Sequence, residues 1–214
     1  LGLLTTVSRI FLLSPANCSG ARARQVLSPA AEFPLALELR SKAGARLGDV
    51  FSFVSGLYFR GKLTYARRFA TPEGGSGVHI ITPNAGLRSP DTLITADAVR
   101  RFASSAVDPA NLAYRRPLER SARALADETG LNCDVVLLGS VATPKYVDVL
   151  IGIFGDRLRF PLDFVGRGDM SRGGLLLRKA REGVELDYAP VLGAVLHGAR
   201  PPRLPRNVLA RNPA

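Results

Sequence analysis

The chain has no tryptophan, one methionine, two cysteines and two histidines in 214 residues, and each scarcity removes a kind of chemistry. Cys18 and Cys133 are too few for the spaced framework of a disulfide-stapled domain. Both lie beside apolar runs, so reduced, partly buried thiols are expected. His79 and His197 are the only histidines, and no C-x-x-C or H-x-x-x-H pair exists. Zinc chemistry is therefore not expected, nor is any other metal or cofactor. No G-x-S-x-G elbow is present, which argues against a Ser-His-Asp hydrolase. Long apolar runs are also missing. The first thirteen residues are apolar but are broken by Arg9, and nothing reaches the roughly 18 residues of a membrane span. No cleavage-site pattern follows, so a cytoplasmic protein without membrane contact is expected.

Acidic residues are in deficit: 18 Asp+Glu stand against 29 Lys+Arg, a formal net charge of +11. Lysine is scarce within that excess, with 25 Arg and 4 Lys. Arginine is the planar, bidentate binder of phosphate, so the balance points to nucleic acid, DNA first, as the partner. What is present in quantity is core-forming material. At 46% hydrophobic and 22% charged residues the composition is that of a globular domain, not of a disordered basic tail. A single α/β domain over 1–198 is expected, followed by a Pro/Arg-rich basic tail over 199–214.

Residues 7–13 (VSRIFLL) read as a buried strand that ends in the breaker cluster 14–20 (SPANCSG). A short helix fits 21–27, and the alternation in 33–40 (FPLALELR) predicts an edge strand. Apolar residues recur at helical spacing over 46–69, which fits one helix or two, with any break expected at Ser55-Gly56. A second buried strand over 78–82 (VHIIT) runs into the polar loop 83–86. Helices are expected over 89–105 and 116–129, the latter stopped by Gly130. A third strand, 134–138 (DVVLL), leads through 139–144 to an apolar helix over 145–154. A fourth, 158–165 (LRFPLDFV), leads through a Gly-rich loop to a helix ending at Arg181. Strands alternating with helices predict a three-layer α/β/α sandwich around a short, mostly parallel, four-stranded sheet.

In open sheets of this kind ligands bind outside the carboxyl ends of the strands. A site is therefore expected from Ser14, Asn17, Cys18 and Ser19 after the first strand, Asn84 after the second, Ser140 after the third, and 167–172 (RGDMSR) after the fourth. The last loop suits an anion, because glycines let amides approach and Arg167, Ser171 and Arg172 add donors and charge. As a plain structural feature, it is a turn with Asp169 as the helix N-cap. Arg22 and Arg24 strengthen the anion reading of the first loop, and Lys145 is a further phosphate candidate. Asn84, taken alone, reads first as a turn residue before Gly86 and second as a reader of a base edge through its amide. His79, inside an apolar strand, reads as a satisfied core histidine, whereas His197 has no assigned role. Tyr58 and Tyr65 sit among Arg60, Lys62, Arg67 and Arg68. That mixture suits base stacking and phosphate binding, and equally the buried stripe of a helix with its charges outside.

The strand–loop–helix layout over 7–181, with Ser14-Pro15-Ala16-Asn17-Cys18-Ser19 after strand one and Gly168-Asp169-Met170-Ser171-Arg172 after strand four, resembles the uracil-DNA glycosylase superfamily. The Ser-Pro-Ala segment is also similar to that of YaaA-type DNA-associated proteins. The superfamily's second motif is commonly His-Pro-Ser, and this chain has no such histidine. The resemblance implies hydrolysis of the N-glycosidic bond of a flipped base. Asn17 would hold the water, Asp169 or Asp163 would be the carboxylate, Tyr58 would stack on the base, and Asn84 would read it. Without the histidine, Arg167, Arg172 or loop amides would stabilise the departing base. A large modified base, as in phage DNA, would suit the roomy loop. A non-catalytic DNA-binding protein and a nucleotide or nucleoside hydrolase are the alternative readings.

Overall fold

The computed structural model describes residues 8–142, 144–194, 198–199 and 201–202. Residues 1–7, His197 and most of the 199–214 tail lie outside the described residues. β1 (Ser8–Leu13) leads through the 14–20 loop into α1 (Ala21–Leu27), α2 (Pro34–Arg40), the short β2 (Ala45–Arg46), α3 (Leu47–Ser55) and α4 (Leu57–Phe69). β3 (Val78–Thr82) turns back as β4 (Gly86–Arg88), and β5 (Leu93–Ile94) precedes α5 (Ala96–Ala103) and α6 (Leu112–Thr129). β6 (Cys133–Leu138), α7 (Pro144–Phe154), β7 (Leu158–Pro161), α8 (Asp169–Glu182) and β8 (Tyr188–Pro190) follow.

The main sheet has the order β4-β3-β1-β6-β7-β8. β1 pairs in parallel with β3 and β6, and β6 in parallel with β7, while β4 and β8 are antiparallel edges. The parallel core contains the four strands expected, but the sheet has six strands instead of four. The extra edges are three residues each, too short to show a period. β8 carries Pro190, which an edge strand tolerates because its missing N–H faces away from the ladder.

Both faces of β1 are covered. Phe11 and Leu13 pack with α1 to α5 and α8 in one core, whereas Ile10 and Leu12 pack with α6 and α7 in another. Burial on both sides is what a central parallel strand requires, and it explains the unbroken apolar run IFLL.

Three local expectations are corrected. Residues 34–40 form a helix, not an edge strand: Pro34 occupies the first helical position, where its fixed φ favours a helix start. Ala36 and Leu39 then face the core while Leu37 is 51% exposed. The helix expected over 89–105 is confined to α5, because 90–94 is tied to its neighbours instead. There Leu47 and Gly48 donate their amides to Thr92 and Pro90, and β5 pairs with β2. The fourth strand stops at Pro161, and 162–164 form a 3-10 turn. The break expected at Ser55-Gly56 is present, with Gly56 at φ 64° between α3 and α4.

One helix contact positions the site. A Cβ added to Gly61 on α4 would lie 2.6 Å from the Gly173 carbonyl oxygen on α8, and one added to Gly173 would lie 2.8 Å from the Tyr58 Cα. The two backbones therefore touch, which brings the first turn of α8 against the side chains of α4. Gly61→Ala or Gly173→Ala should destabilise the fold by about 1–3 kcal/mol through overpacking. Gly174→Ala, with nothing within 4 Å of the added methyl, should instead stabilise it by about 0.5–1 kcal/mol as a helix-interior replacement. Urea unfolding of the three variants separates these outcomes, and equal effects at Gly173 and Gly174 would contradict the close crossing.

Candidate functional site

The crossover from β1 to β3 uses helices on one face of the sheet, and that from β6 to β7 uses α7 on the other. The chain thus diverges at the carboxyl ends of β1 and β6, the position where open α/β sheets leave a crevice. A cleft of about 800 Å³ opens there, walled by 14–19, 102–107, Ser140 and Lys145, with Tyr58, Lys62, Tyr146 and Asp169 also facing it.

Lys62 forms part of its floor. Its side chain is on the apolar stripe of α4, in step with Tyr58 and Tyr65, and only 1% of the residue is exposed. Nζ donates to the Ser14 carbonyl at 2.7 Å and to Ser14 Oγ at 2.8 Å. It also lies 4.5 Å from the Tyr58 ring centroid and 4.8 Å from that of Phe59. Burial pulls the amine down to about 7, an effect opposed by the Asp169 charge and reinforced by that of Arg172.

Ser14 is the first residue beyond β1, and its amide donates to Leu138 at the end of β6. Gly139 lets the second loop approach closely, since a Cβ there would lie 2.7 Å from the Tyr146 hydroxyl and 2.9 Å from Ser14 Cβ. That hydroxyl accepts the Ser140 amide at 2.9 Å. The Tyr58 hydroxyl is buried and meets no partner in hydrogen-bond geometry. Burial pushes its pKa up, and the nearby Arg172 guanidinium partly offsets this.

Of the residues expected at a site, Ser14, Asn17, Cys18, Ser19, Tyr58, Ser140, Lys145 and Asp169 face this one cleft. Asn17 Oδ1 closes a turn by accepting from the Ser19 amide at 3.0 Å and Ser19 Oγ at 2.7 Å. Burial pushes the Cys18 thiol up to about 12, which keeps it protonated. Asp169 is the first helical residue of α8, and Gly168, not Asp169, is the N-cap. The Asp169 carboxylate is 70% exposed and 3.7 Å from Arg172.

The other candidates lie outside the cleft lining. Asn84 donates through Nδ2 to the Arg101 carbonyl and Ser105 Oγ, at 3.0 and 2.8 Å, and so pins the 101–105 segment. Asp163 sits on the 3-10 turn, 3.9 Å from Arg167. Arg167 donates to Ser171 Oγ and the Pro202 carbonyl. Arg172 donates twice to the Phe164 carbonyl, at 3.2 and 3.0 Å, over the Phe164 ring. Arg22 donates to the Phe53 carbonyl and Arg24 to that of Ser19. These arginines brace loops through backbone carbonyls, which in polar clusters take up guanidinium donors as readily as a ligand would. His79 Nε2 donates to the Ser76 carbonyl, 2.8 Å away.

Sequence reasoning counted Lys62 among surface charges and passed over Tyr146. The signal for Lys62 was its register: it stands four residues after Tyr58 and three before Tyr65, on the buried stripe. Among the described residues no group of three His, Cys, Asp or Glu side chains could hold a metal ion. No helix there is long and apolar enough to cross a membrane.

The lowered Lys62 pKa makes stability depend on pH. Between about 7 and the ordinary value of 10.5 the unfolded chain binds the proton that the folded one has lost, so stability rises with pH over that window. The gain should approach about 1.4 kcal/mol per pH unit between pH 7.5 and 9. It should vanish in Lys62→Met. Denaturant unfolding at stepped pH measures it, and a flat wild-type profile would refute the buried, proton-shedding amine.

No protein-family model matches the chain, and no curated protein or solved structure matches it either, so the cleft is interpreted from its own geometry.

Proposed function

We propose that this chain hydrolyses N-glycosidic bonds in nucleic acid, most simply that of a flipped and modified base in DNA, within the cleft at the ends of β1 and β6. The observation that carries the reading is the pairing of the buried Lys62 amine on Ser14 with the Asp169 carboxylate in the same cleft. Breaking the C1′–N bond leaves the electron pair on the base and a cationic sugar. Catalysis then requires a donor for the base, a negative charge near the sugar and a water that adds to C1′. An amine near pKa 7 is matched to donating a proton at neutral pH, and Asp169 supplies the charge and takes a proton from the water. Of the two carboxylates considered, Asp169 fits and Asp163 does not, since Asp163 lies outside the lining. Asn17, in the cleft wall, would hold the water through its Nδ2, since Oδ1 accepts from Ser19. Tyr58 contributes its hydroxyl edge instead of a stacking face, because the ring packs under Lys62. A cleft of about 800 Å³ exceeds what a plain pyrimidine needs, which favours a bulky modified base.

The exposed arginines support nucleic acid as the substrate. Arg116, Arg120 and Arg123 stand on the outer side of α6 at the i, i+4, i+7 spacing of one helix face, a basic ridge suited to a phosphate backbone. The same ridge is the observation that favours the second reading, a DNA-binding protein without chemistry.

Incubation with phage-modified and uracil-containing DNA followed by heating in alkali should give strand breaks at unique positions. Asp169→Asn should reduce them by about 10²–10⁴-fold while leaving DNA binding intact. Replacing the three ridge arginines should weaken binding and lower its salt dependence. Absence of abasic product on every DNA, with binding lost only in the ridge variant, would establish the second reading.

A further inference from the structure

The hydrogen atoms at the floor of the cleft can be accounted for one by one. As an ammonium, Lys62 has three, and two are engaged by the Ser14 carbonyl and Oγ. The third meets no acceptor among the described residues. Tyr146 accepts a hydrogen bond from the Ser140 amide at 2.9 Å. Tyr58 is 7% exposed, and its hydroxyl is buried without a hydrogen-bond partner among the described residues. The Arg172 guanidinium, whose charge reaches it from α8, only donates, so the Tyr58 hydrogen lacks an acceptor. Two donors, the third Lys62 hydrogen and the Tyr58 hydroxyl, therefore converge on one end of the cleft, with no acceptor-only group between them. The single carboxylate, Asp169, stands at the exposed rim.

From this pattern we infer that Lys62 and Tyr58 form a recognition site for an acceptor-only, electron-rich edge, which on the glycosidase reading is the keto edge of the base. An exocyclic amine in that position would bring a second donor against Lys62 and leave both unpaired, a buried polar mismatch that costs more than an absent contact. A keto oxygen relieves the unpaired Tyr58 hydroxyl and gives the third Lys62 hydrogen an acceptor. The same two donors would also satisfy the oxygens of a phosphate, the other source of this chemistry.

Matched free bases separate the possibilities. Hypoxanthine and adenine differ by a keto oxygen in place of an amine, as do uracil and cytosine. Calorimetric titration of the full chain with all four, and with inorganic phosphate, should show the keto member of each pair binding about 10- to 100-fold tighter, the range of a hydrogen bond to a charged group. Tyr58→Phe, which keeps the ring, should narrow that preference severalfold. Lys62→Met should abolish it. Equal binding of keto and amino partners, or binding of phosphate with no base bound, would overturn the inference. The glycosidase reading fails separately: base release without keto preference sinks only the inference, and keto preference without base release sinks only the glycosidase.

Discussion

The structure around the cleft depends on keeping the Lys62 amine out of water. A buried ammonium without partners costs several kcal/mol, and its partners come from one residue, Ser14, through the backbone carbonyl and the hydroxyl. That is possible only because β1 ends there. A carbonyl within the ladder would already be taken, and Pro15 disfavours a helical conformation at Ser14, whose carbonyl accepts from Lys62. The short approach of α4 to α8 over Gly61 and Gly173 then brings the Asp169 charge close enough to oppose the desolvation. Gly61 and Gly173 serve contact between backbones, and that contact serves the amine.

The net charge of +11 divides accordingly. Several arginines that flank the loops, among them Arg167 and Arg172, are spent on carbonyls and hold the 162–172 segment in shape. Arg172 sets the local field as well, lowering the Lys62 pKa and opposing the rise at Tyr58. The ridge on α6 is a separate feature on the opposite face of the sheet. The arginine ridge and the cleft therefore consist of different residues on different parts of the fold.

The parallel core was legible in the residues, because IFLL, VHIIT and VVLL are buried on both faces and carry no competing helical period. The edges β4 and β8 were not, being three residues long and defined by pairing alone. In 33–40 a local proline at the helix start outweighed an alternation that fits a strand equally well, and the alternation was the weaker signal. The cleft was half legible. Loops at strand ends fall together by topology, so Ser14, Asn17, Ser140 and Asp169 could be grouped without coordinates. The chemistry of the floor comes from the middle of α4 and the start of α7, where Lys62 and Tyr146 are set by packing, and loop reasoning does not reach them. The arginines failed for the opposite reason. Charge beside a glycine-rich loop suggests a ligand, but a guanidinium satisfied by a backbone carbonyl looks the same in sequence.

A fold does not need the Lys62 cluster. Ser14 is neutral, so replacing Lys62 with methionine leaves no charge stranded, and the Ser14 acceptors it leaves unpaired cost about 1–3 kcal/mol against the several that a buried ammonium costs. The parallel sheet and both cores are complete without it. Yet the chain places one of its four lysines on the buried stripe of α4, and leaves the adjacent Tyr58 hydroxyl unpaired. Folding stability alone selects against both features, and they meet at the single point where the topology opens a crevice. Their cost is balanced only when something enters the cleft and accepts their hydrogens.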